Sequence, residues 1–240
     1  MTVGILLPTQ QTVVPTKLVT FSARACLVAS IKDIPTASGP IFGAAERAGV
    51  RHVVFVSSGT IEMKPPVTVG DWHLEGERQL KATSMAWTML RPGNFASNTL
   101  RWVGPIKSQG SVFASNPNHR SGVIDPRDIA AVAAKTLSSP GHEQKTYVLT
   151  GPTAITAADQ VRILSDALGK PLRLVEVPEA GARVGMLKAG MSEVLADAIL
   201  QLTRPAHTLE NVVTQAVTDV TGQPARSFEQ WARDHVSAFS

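Results

Sequence analysis

The sequence contains very little cysteine and no long apolar run. A single cysteine, Cys26, excludes a disulfide within the chain and is typical of a protein of the reducing cytosol. No apolar stretch approaches the roughly 20 residues that a membrane-spanning helix needs, and the N-terminus lacks the basic region that opens a secretion signal. We therefore expect a cytoplasmic protein without a membrane partner.

Charge is also sparse, and it is not gathered in one place. The formal net charge is only +4, and the lysines and arginines are scattered along the sequence. A nucleic-acid-binding protein concentrates them on one helix or stripe. The histidines lack metal-ligand spacing and no cysteine cluster exists, so we expect neither nucleic-acid binding nor a metal site. The length of 240 residues and the 43% hydrophobic content suit an α/β domain with a full core.

Two motifs of ordinary dinucleotide-dependent dehydrogenases are missing. None of the 18 glycines has G-x-G-x-x-G or G-x-x-G-x-x-G spacing. In dinucleotide-binding proteins this spacing lets the backbone approach the pyrophosphate at a helix N-terminus. The single tyrosine, Tyr147, has Gly151 four residues later. The Tyr-x-x-x-Lys pair that passes a proton beside hydride transfer is therefore missing as well. The adenine and pyrophosphate sites stay unassigned.

From residue 43 onward, strand and helix patterns alternate. A short helix ends at Gly49, the run HVVFV predicts a buried parallel strand, a helix is expected over 72–82, and MAWTML predicts the next strand. TYVLTG and LRLVEVP predict two further strands. This order predicts a Rossmann-like parallel sheet flanked by helices. We expect a nucleotide-binding region over 1–115, atypical over 1–40, and a substrate lobe over 116–240, interwoven as one structural unit.

Capping residues mark several helices of the second half. Three pairs indicate helix starts: Asp125 with Pro126, Thr156 with Asp159, and Ser227 with Gln230. Long helices are also expected over 184–202 and 207–220. The first of these carries an apolar stripe that suits a core, a substrate pocket or a dimer face, and we expect a monomer or a homodimer.

The ordered set AAERAGVRHVVFVSSG, WHLEGERQL, WTMLRPGNF, IDPRDIAAVAA, YVLTGP and SFEQWARDHVSAF resembles the NmrA-like atypical short-chain dehydrogenase/reductases. The resemblance implies a Rossmann-type fold, NADP or NAD as cofactor, and a small-molecule substrate. Ahead of this set, LVTFSAR at 18–24 faintly echoes the strand that opens the glycine loop, and ILLP echoes the fourth strand of the family. At least one βαβ unit is therefore expected to be shortened, rearranged or absent.

The first candidate segment follows the strand HVVFV. Ser57 and Ser58 lie at the edge where open α/β sheets bind ligands, and the resemblance implies that they line the nicotinamide and substrate cleft. A strand-end turn, in which the two hydroxyls form hydrogen bonds with backbone groups, explains these serines equally well. His73 opens the next helix and is, with Ser58, the expected catalytic residue, because an imidazole donates a proton near neutral pH. Glu77, one turn on, either orients and charges His73 or forms a surface contact with it.

The second candidate segment is RPGNF, which follows MAWTML. The resemblance implies that it passes the nicotinamide, so the expected cofactor-binding residues are Ser57, Arg91, Pro92, Gly93, Asn94 and Phe95. Asn98 and Trp102 on the following helix are expected to line the substrate, since an asparagine amide both donates and accepts. Arg91 also suits a structural ion pair, and Pro92–Gly93 an ordinary turn.

Several functions remain open at this point. The first is an NAD(P)H-dependent oxidoreductase acting on a small carbonyl, imine or quinone-like substrate. The alternatives are a redox-sensing NmrA-like regulator and a cofactor-free cleft protein, either a binding protein or a cyclase or isomerase. A truncated or wrongly started reading frame would also explain the missing loop.

Overall fold

The structure is a computed structural model that describes residues 17–21, 24–28, 34–204 and 212–240, the first two ranges as backbone strands only. The strands are β1 Lys17–Phe21, β2 Arg24–Val28, β3 His52–Val56, β4 Ala86–Pro92, β5 Ser111–Ala114, β6 Ser121–Gly122, β7 Lys145–Leu149, β8 Ala154–Ile155 and β9 Arg173–Glu176. The α-helices are α1 Ile34–Arg47, α2 Thr68–Lys81, α3 Val103–Gln109, α4 Pro126–Ser138, α5 Ala157–Leu168, α6 Glu179–Lys188, α7 Glu193–Gln201, α8 Ala216–Thr221 and α9 Phe228–Phe239. Short 3₁₀ helices span Gly59–Glu62 and Ala96–Trp102.

A five-stranded sheet in the order β1, β2, β3, β4, β7 forms the centre of the fold. Strands β2, β3, β4 and β7 are parallel, and β3 is buried along almost its whole length because both of its faces are covered. Strand β1 runs antiparallel to β2. The prediction of a parallel sheet flanked by helices is confirmed.

Helices cover both faces of this sheet. Helices α1 and α2 close one face over a core that includes Phe42, Phe55 and Met89. On the other face, α4 and α8 pack over a core that includes Val54, Leu90 and Val132. Because successive strand residues point to opposite faces, Val54 and Phe55 enter different cores.

A third core joins residues 96–112 to the C-terminal part of the chain. It joins α3, α5 and α9 around Trp231, Phe239 and Leu164. Strand β9 pairs in parallel with β5 in a separate two-stranded sheet. The segment LRLVEVP is therefore a strand, as expected, but it lies outside the main sheet.

The capping predictions are confirmed. Asp125 caps α4 with Pro126 in its first turn, and capping boxes open α5 and α9. Gly49 and Gly169 end their helices with positive φ angles of 78° and 64°.

Several predicted boundaries were wrong. The helix expected near residue 44 begins at Ile34, because Ile34, Phe42 and Ala45 share one buried face that tolerates Pro40 inside the helix. The helix expected over 184–202 is two helices, separated at Gly190, whose φ is 86°. Of the helix expected over 207–220, α8 is the described part, and residues 205–211 lie outside the described residues.

The proposed echo of a glycine-loop strand in LVTFSAR is also wrong. Residues 17–21 and 24–28 form an antiparallel pair in which Phe21 lies opposite Arg24, so no helix follows the first of these strands. The echo of the fourth strand in ILLP lies outside the described residues. In the portion of the chain with described coordinates, every helix is too short or too polar to cross a bilayer.

Candidate functional site

The candidate site lies where β3, β4 and β7 end at one edge of the sheet. The backbone N–H of Ser57 donates to the carbonyl of Leu90 at 2.7 Å, and that of Gly93 donates to the carbonyl of Leu149 at 2.8 Å. These bonds continue the strand ladders past the strands themselves. The two segments that the sequence singled out are thereby brought side by side at the edge where α/β sheets bind ligands.

A buried carboxylate on α2 joins both segments. Glu77 is fully buried and accepts the hydroxyl hydrogen of Ser57 at 2.7 Å. Arg91 donates to the two carboxylate oxygens of Glu77 through Nε at 2.8 Å and Nη2 at 2.7 Å, and its Nη1 pairs with Glu62. We call Ser57, Glu62, Glu77 and Arg91 the Glu77 cluster, and it ties α2 to the ends of β3 and β4.

The Glu77 cluster is an ionised pair with matched hydrogen bonds. Burial by itself raises the pKa of Glu77, but the hydrogen bonds from Arg91 and Ser57 and the charges of Arg91 and Lys81 outweigh burial and lower it. The hydrogen bond to Glu77 raises the pKa of Arg91 despite partial burial. The structural reading of Arg91 as an ion-pair partner is confirmed.

His73 lies one helical turn before Glu77, roughly 6 Å along the axis of α2. It is only 7% exposed, and burial lowers the pKa of its imidazole to about 4, although the charge of Glu77 opposes this. Its Nδ1 is buried and has no hydrogen-bond partner among the described residues. An imidazole with this pKa is neutral near pH 7, which does not favour the alternative in which Glu77 charges His73. The alternative of a surface contact is wrong, because Glu77 is buried.

The hydroxyl of Ser58 caps the 3₁₀ helix that follows β3. It accepts the backbone N–H of Thr60 at 3.2 Å and lies 2.9 Å from the Thr60 hydroxyl. This geometry is that of a strand-end turn stabilised by a side chain. A catalytic role for Ser58 stays a prediction, and the capping contact explains the residue without it.

Asn94 is held by its backbone and presents its side chain at the sheet edge. Its carbonyl accepts the N–H of Ile124 at 2.9 Å, and the N–H of Ala96 donates back to Ile124 at 2.8 Å. Asn98 Nδ2 donates to Asn94 Oδ1 at 2.8 Å. With Oδ1 engaged, the Nδ2 hydrogens of Asn94 remain as donors at a half-exposed position.

The other predicted residues differ in their surroundings. Pro92 is buried, and Phe95 packs against the core beneath α4. Asn98 is exposed, and Trp102 packs half-buried against the C-terminal core. Thus Gly93, Asn94 and Phe95 share one strand-end segment, whereas Trp102 joins it to the C-terminal part of the chain.

A second arginine–carboxylate cluster lies beyond Ile124. Arg226 donates through Nε to Asp125 at 2.7 Å, through its backbone N–H to Asp128 at 2.8 Å, and through Nη2 to Asp234 at 2.6 Å. Arg127 also pairs with Asp234. We call these five residues the Arg226 cluster. Burial raises the pKa of Asp128, and the nearby Asp125 adds to this, against the hydrogen bond from Arg226.

The sequence did not reveal the role of Glu77. It places Glu77 one turn from His73 and so suggests a local pair, whereas its partners lie 20 and 14 residues away. The available signal was the apolar face that Glu77 shares with Leu80 on α2, where a charge requires a partner from another element. Among the described residues, no group of three potential metal ligands exists.

Comparison with known proteins gives consistent matches. The model of an NAD(P)H-binding family matches residues 19–140. An NAD(P)H azoreductase of Xenophilus azovorans is 40% identical over 200 residues, which cover 82% of this chain and 69% of that protein. A (4-alkanoyl-5-oxo-2,5-dihydrofuran-3-yl)methyl phosphate reductase of Streptomyces griseus is 37% identical, over 83% of this chain and 71% of that one.

Solved structures support the fold. An NADPH-dependent quinone oxidoreductase from Escherichia coli, complexed with NADPH, superimposes with a TM-score of 0.73 at 20% identity, over 88% of this chain and 75% of that chain. A Citrobacter triphenylmethane reductase complexed with NADP(H) gives a TM-score of 0.71 at 20% identity, over 86% and 72% of the two chains. At this identity the likeness concerns the fold alone.

Proposed function

The chain belongs to the NAD(P)H-binding family of oxidoreductases, and from this premise we propose that it reduces a small carbonyl, imine or quinone-like substrate. The resemblance to NmrA-like atypical short-chain dehydrogenase/reductases is confirmed by the same matches. The azoreductase and the phosphate reductase described above, at 40% and 37% identity, are both named as reductases. This favours catalysis over the regulator and over the cofactor-free cleft protein.

The observation that carries the proposal is the convergence of the β3 and β4 ends on the Glu77 cluster. A fully buried, doubly hydrogen-bonded carboxylate holds two loops of the sheet edge in fixed positions. Pre-positioned polar groups at such an edge are what a reductase needs, since the protein contributes orientation while the cofactor contributes the hydride. Glu77 and Arg91 are positioning residues in this proposal.

The residues at the edge fit the dihydronicotinamide end of the cofactor. Because Asn94 Oδ1 accepts from Asn98, we propose that Asn94 Nδ2 donates to the carboxamide oxygen of a nicotinamide ring. Phe95, one residue on, offers an apolar surface. When bound, NAD(P)H supplies a hydride, and the reduced acceptor then takes one proton from water, so that two electrons and two protons reach a quinone or carbonyl.

His73 has a different role from the one that its type first suggests. A neutral imidazole with a pKa of about 4 is not a strong acid near pH 7. We propose that it lines the cleft above Glu77 and orients the substrate or the ring through one hydrogen bond. The proton for the product then comes from solvent.

The C-terminal part of the chain is proposed as the substrate lobe. The core around Trp231 also takes in Ala96, Ile106 and Val112, so the proposed lobe is interwoven with the region before residue 115. Asn98 and Trp102 lie between the strand ends and this core, and we propose that they line the substrate. The single cysteine supports a cytosolic location, and we propose a monomer or homodimer.

Turnover of the purified chain tests the proposal. Quinone reduction is monitored as the decrease in dihydronicotinamide absorbance. It is measured for the wild type and for the variants Asn94→Asp and Asn118→Asp. Asn118 is an exposed asparagine that serves as a matched control. We expect Asn94→Asp to lower kcat/KM about tenfold or more, because an aspartate cannot donate to the ring amide, and Asn118→Asp to leave it unchanged. Absence of turnover with quinone, carbonyl and imine acceptors would contradict the proposal.

A further inference from the structure

A 3₁₀ helix leads from the proposed nicotinamide site into the rest of the chain. It spans Ala96–Trp102 and follows directly on Asn94 and Phe95. Because a 3₁₀ helix has three residues per turn, residues that are three apart lie in one row along its surface. The helix therefore has three rows of side chains, and their surroundings can be compared.

Two of the three rows pack into the protein. The first row contains Ala96 and Thr99, which are both buried, and the Thr99 hydroxyl donates to the carbonyl of Ala96 at 2.7 Å. The second row contains Leu100 and continues to Val103, and both pack against the core around Trp231. These contacts fix the direction in which the third row faces.

The third row is open to solvent and is tied to the sheet edge at its beginning. Its members Asn98 and Arg101 are both exposed, and Asn98 Nδ2 donates to Asn94 Oδ1 at 2.8 Å. One turn beyond Arg101, a Cβ added to the exposed Gly104 would meet no described atom within 4 Å outside its own helix. With a rise of about 2 Å per residue, Arg101 lies roughly 6 Å beyond Asn98 along this row.

Arg101 differs from the arginines that form the two clusters. Carboxylates raise the pKa of Arg91 and of Arg226, whereas burial lowers the pKa of Arg101, and no charge or hydrogen bond from the described residues opposes this. The side chain is nevertheless exposed. Both observations fit a guanidinium that reaches into a solvent-filled cleft with protein around it. Since an arginine stays protonated in proteins, this cleft contains an unpaired positive charge.

An unpaired guanidinium in a cleft favours an anionic ligand. Its planar fork of N–H donors matches the oxygens of a carboxylate, phosphate or sulfonate, and such charge-assisted bonds are stronger where protein replaces part of the water. The open row runs from Asn94, where the nicotinamide ring is proposed, toward Trp102, which is proposed to line the substrate. We therefore assign the anion to the acceptor and not to the cofactor.

We infer that this chain prefers acceptors that carry an acidic group, and that Arg101 binds this group while the reducible group faces Asn94. The inference rests on the proposed function and narrows its substrate class to carboxylates, phosphates or sulfonates of quinones, carbonyls or imines. The electron balance is that of the proposed reduction, because the acceptor takes a hydride from the cofactor and a proton from water. The acidic group keeps its charge throughout.

A matched pair of acceptors tests the inference on the full chain. A quinone with a carboxylate on a short side chain is compared with its methyl ester, since the two share one ring. The values of kcat and KM are measured for the wild type, Arg101→Gln, Arg101→Lys and Arg51→Gln. Arg51 is an exposed arginine that immediately precedes β3, at the opposite edge of the sheet, and it serves as the control.

We expect the wild type to prefer the acid. Arg101→Gln should lower kcat/KM for the acid on the order of 10- to 100-fold, mainly through KM, and leave the ester unchanged, because only the acid loses charge-assisted hydrogen bonds. Arg101→Lys should keep part of the preference, since a lysine retains the charge without the fork. Arg51→Gln should change neither acceptor.

Three kinetic results would overturn the inference: equal kcat/KM for acid and ester in the wild type, an equal loss for both in Arg101→Gln, or a preference that survives in Arg101→Gln. Weaker NADPH binding by Arg101→Gln, measured as quenching of tryptophan fluorescence, would also overturn it, because the guanidinium would then serve a phosphate of the cofactor.

A binding measurement separates this inference from the proposed activity. If no acceptor is turned over, the proposed reductase activity fails, and calorimetric titration with 1-naphthoate and the uncharged 1-naphthamide then decides the inference. Tighter binding of the naphthoate by the wild type, lost in Arg101→Gln and kept in Arg51→Gln, would support an acid-binding Arg101. Equal binding of the two compounds, or binding of neither, would overturn it.

Discussion

The Glu77 cluster and the Arg226 cluster both join arginine to carboxylates, but the pKa of a buried carboxylate is lowered in the first and raised in the second. In the first, one fully buried carboxylate receives a bidentate arginine and a serine hydroxyl, and its pKa is lowered. In the second, one arginine serves three aspartates, and the pKa of Asp128 is raised. At Glu77 the hydrogen bonds from Arg91 and Ser57 and the nearby positive charges outweigh burial, whereas at Asp128 the hydrogen bond from the Arg226 backbone does not.

The difference suits the places that the clusters occupy. The Glu77 cluster fixes the β3 and β4 ends, where the proposed nicotinamide site requires rigid geometry. The Arg226 cluster joins the start of α4 to the start of α9, away from the proposed reacting atoms. Several hydrogen bonds to one buried carboxylate keep Glu77 ionised and fix the three elements that it joins.

The largest expected effect is from Glu77→Leu. It leaves the Arg91 guanidinium, whose side chain is 14% exposed, without its bidentate partner, and we expect a loss of about 3–5 kcal/mol of unfolding free energy. Urea unfolding measures it. The double variant Glu77→Leu with Arg91→Met is expected to recover part of the loss, because no charge is then left unpaired. A loss below about 1 kcal/mol in the single variant would show that the pair does not hold the edge.

Arg226→Met is the matching change in the Arg226 cluster. We expect it to lower the free energy of unfolding by less than Glu77→Leu does. Asp125 keeps the backbone N–H of Arg127 at 2.9 Å, and Asp234 is partly exposed, so we expect about 2 kcal/mol. The same unfolding experiment applies. A loss equal to that of Glu77→Leu would remove the proposed distinction between the clusters.

Ser57→Ala is expected to cost about 1 kcal/mol near pH 7, since Glu77 retains Arg91. Because the folded pKa of Glu77 is lowered, its ionised form stabilises the protein above the ordinary value of 4.5, and this is lost as the pH falls through the lowered pKa. Without the serine donor the folded pKa of Glu77 lies nearer 4.5, so the loss of stability on acidification should be smaller and should end at a higher pH. Unfolding free energy measured against pH checks this, and an unchanged acid limb would contradict it.

Asp128→Asn should have the smallest effect, within about 0.5 kcal/mol near pH 7. The folded pKa of Asp128 is raised above its ordinary value of 3.8, so its ionisation costs stability above that raised pKa, and the cost is relieved as the pH falls through it. An asparagine carries no such cost and still accepts the N–H of Arg226. If the variant lost as much stability as Ser57→Ala, the carboxylate charge would be needed there.

Local patterns predicted most of the fold. The run HVVFV predicted β3 because continuous apolar, β-branched residues suit a strand covered on both faces, and Thr156 with Asp159 located the start of α5 because a capping box is a contact within one turn. The direction of β1 was not predictable, since the two residues that join it to β2, Ser22 and Ala23, carry no hairpin-turn signature.

The candidate site was predictable in its position but not in its chemistry. Strand ends placed Ser57 and Asn94 at one edge because parallel strands share an edge. The partner of Glu77 and the neutral state of His73 depend on burial among distant elements, which no local pattern encodes. The hydroxyl contact of Ser58 was one of two open explanations, and only the geometry could favour the cap.

A structure of the chain with NADPH tests the central claim most directly. The account predicts that the dihydronicotinamide ring lies against Gly93 and Asn94 at the ends of β3 and β4, with its carboxamide oxygen accepting from Asn94. A ring bound away from this edge, or a pyrophosphate enclosed by backbone N–H groups while the ring lies free, would contradict it.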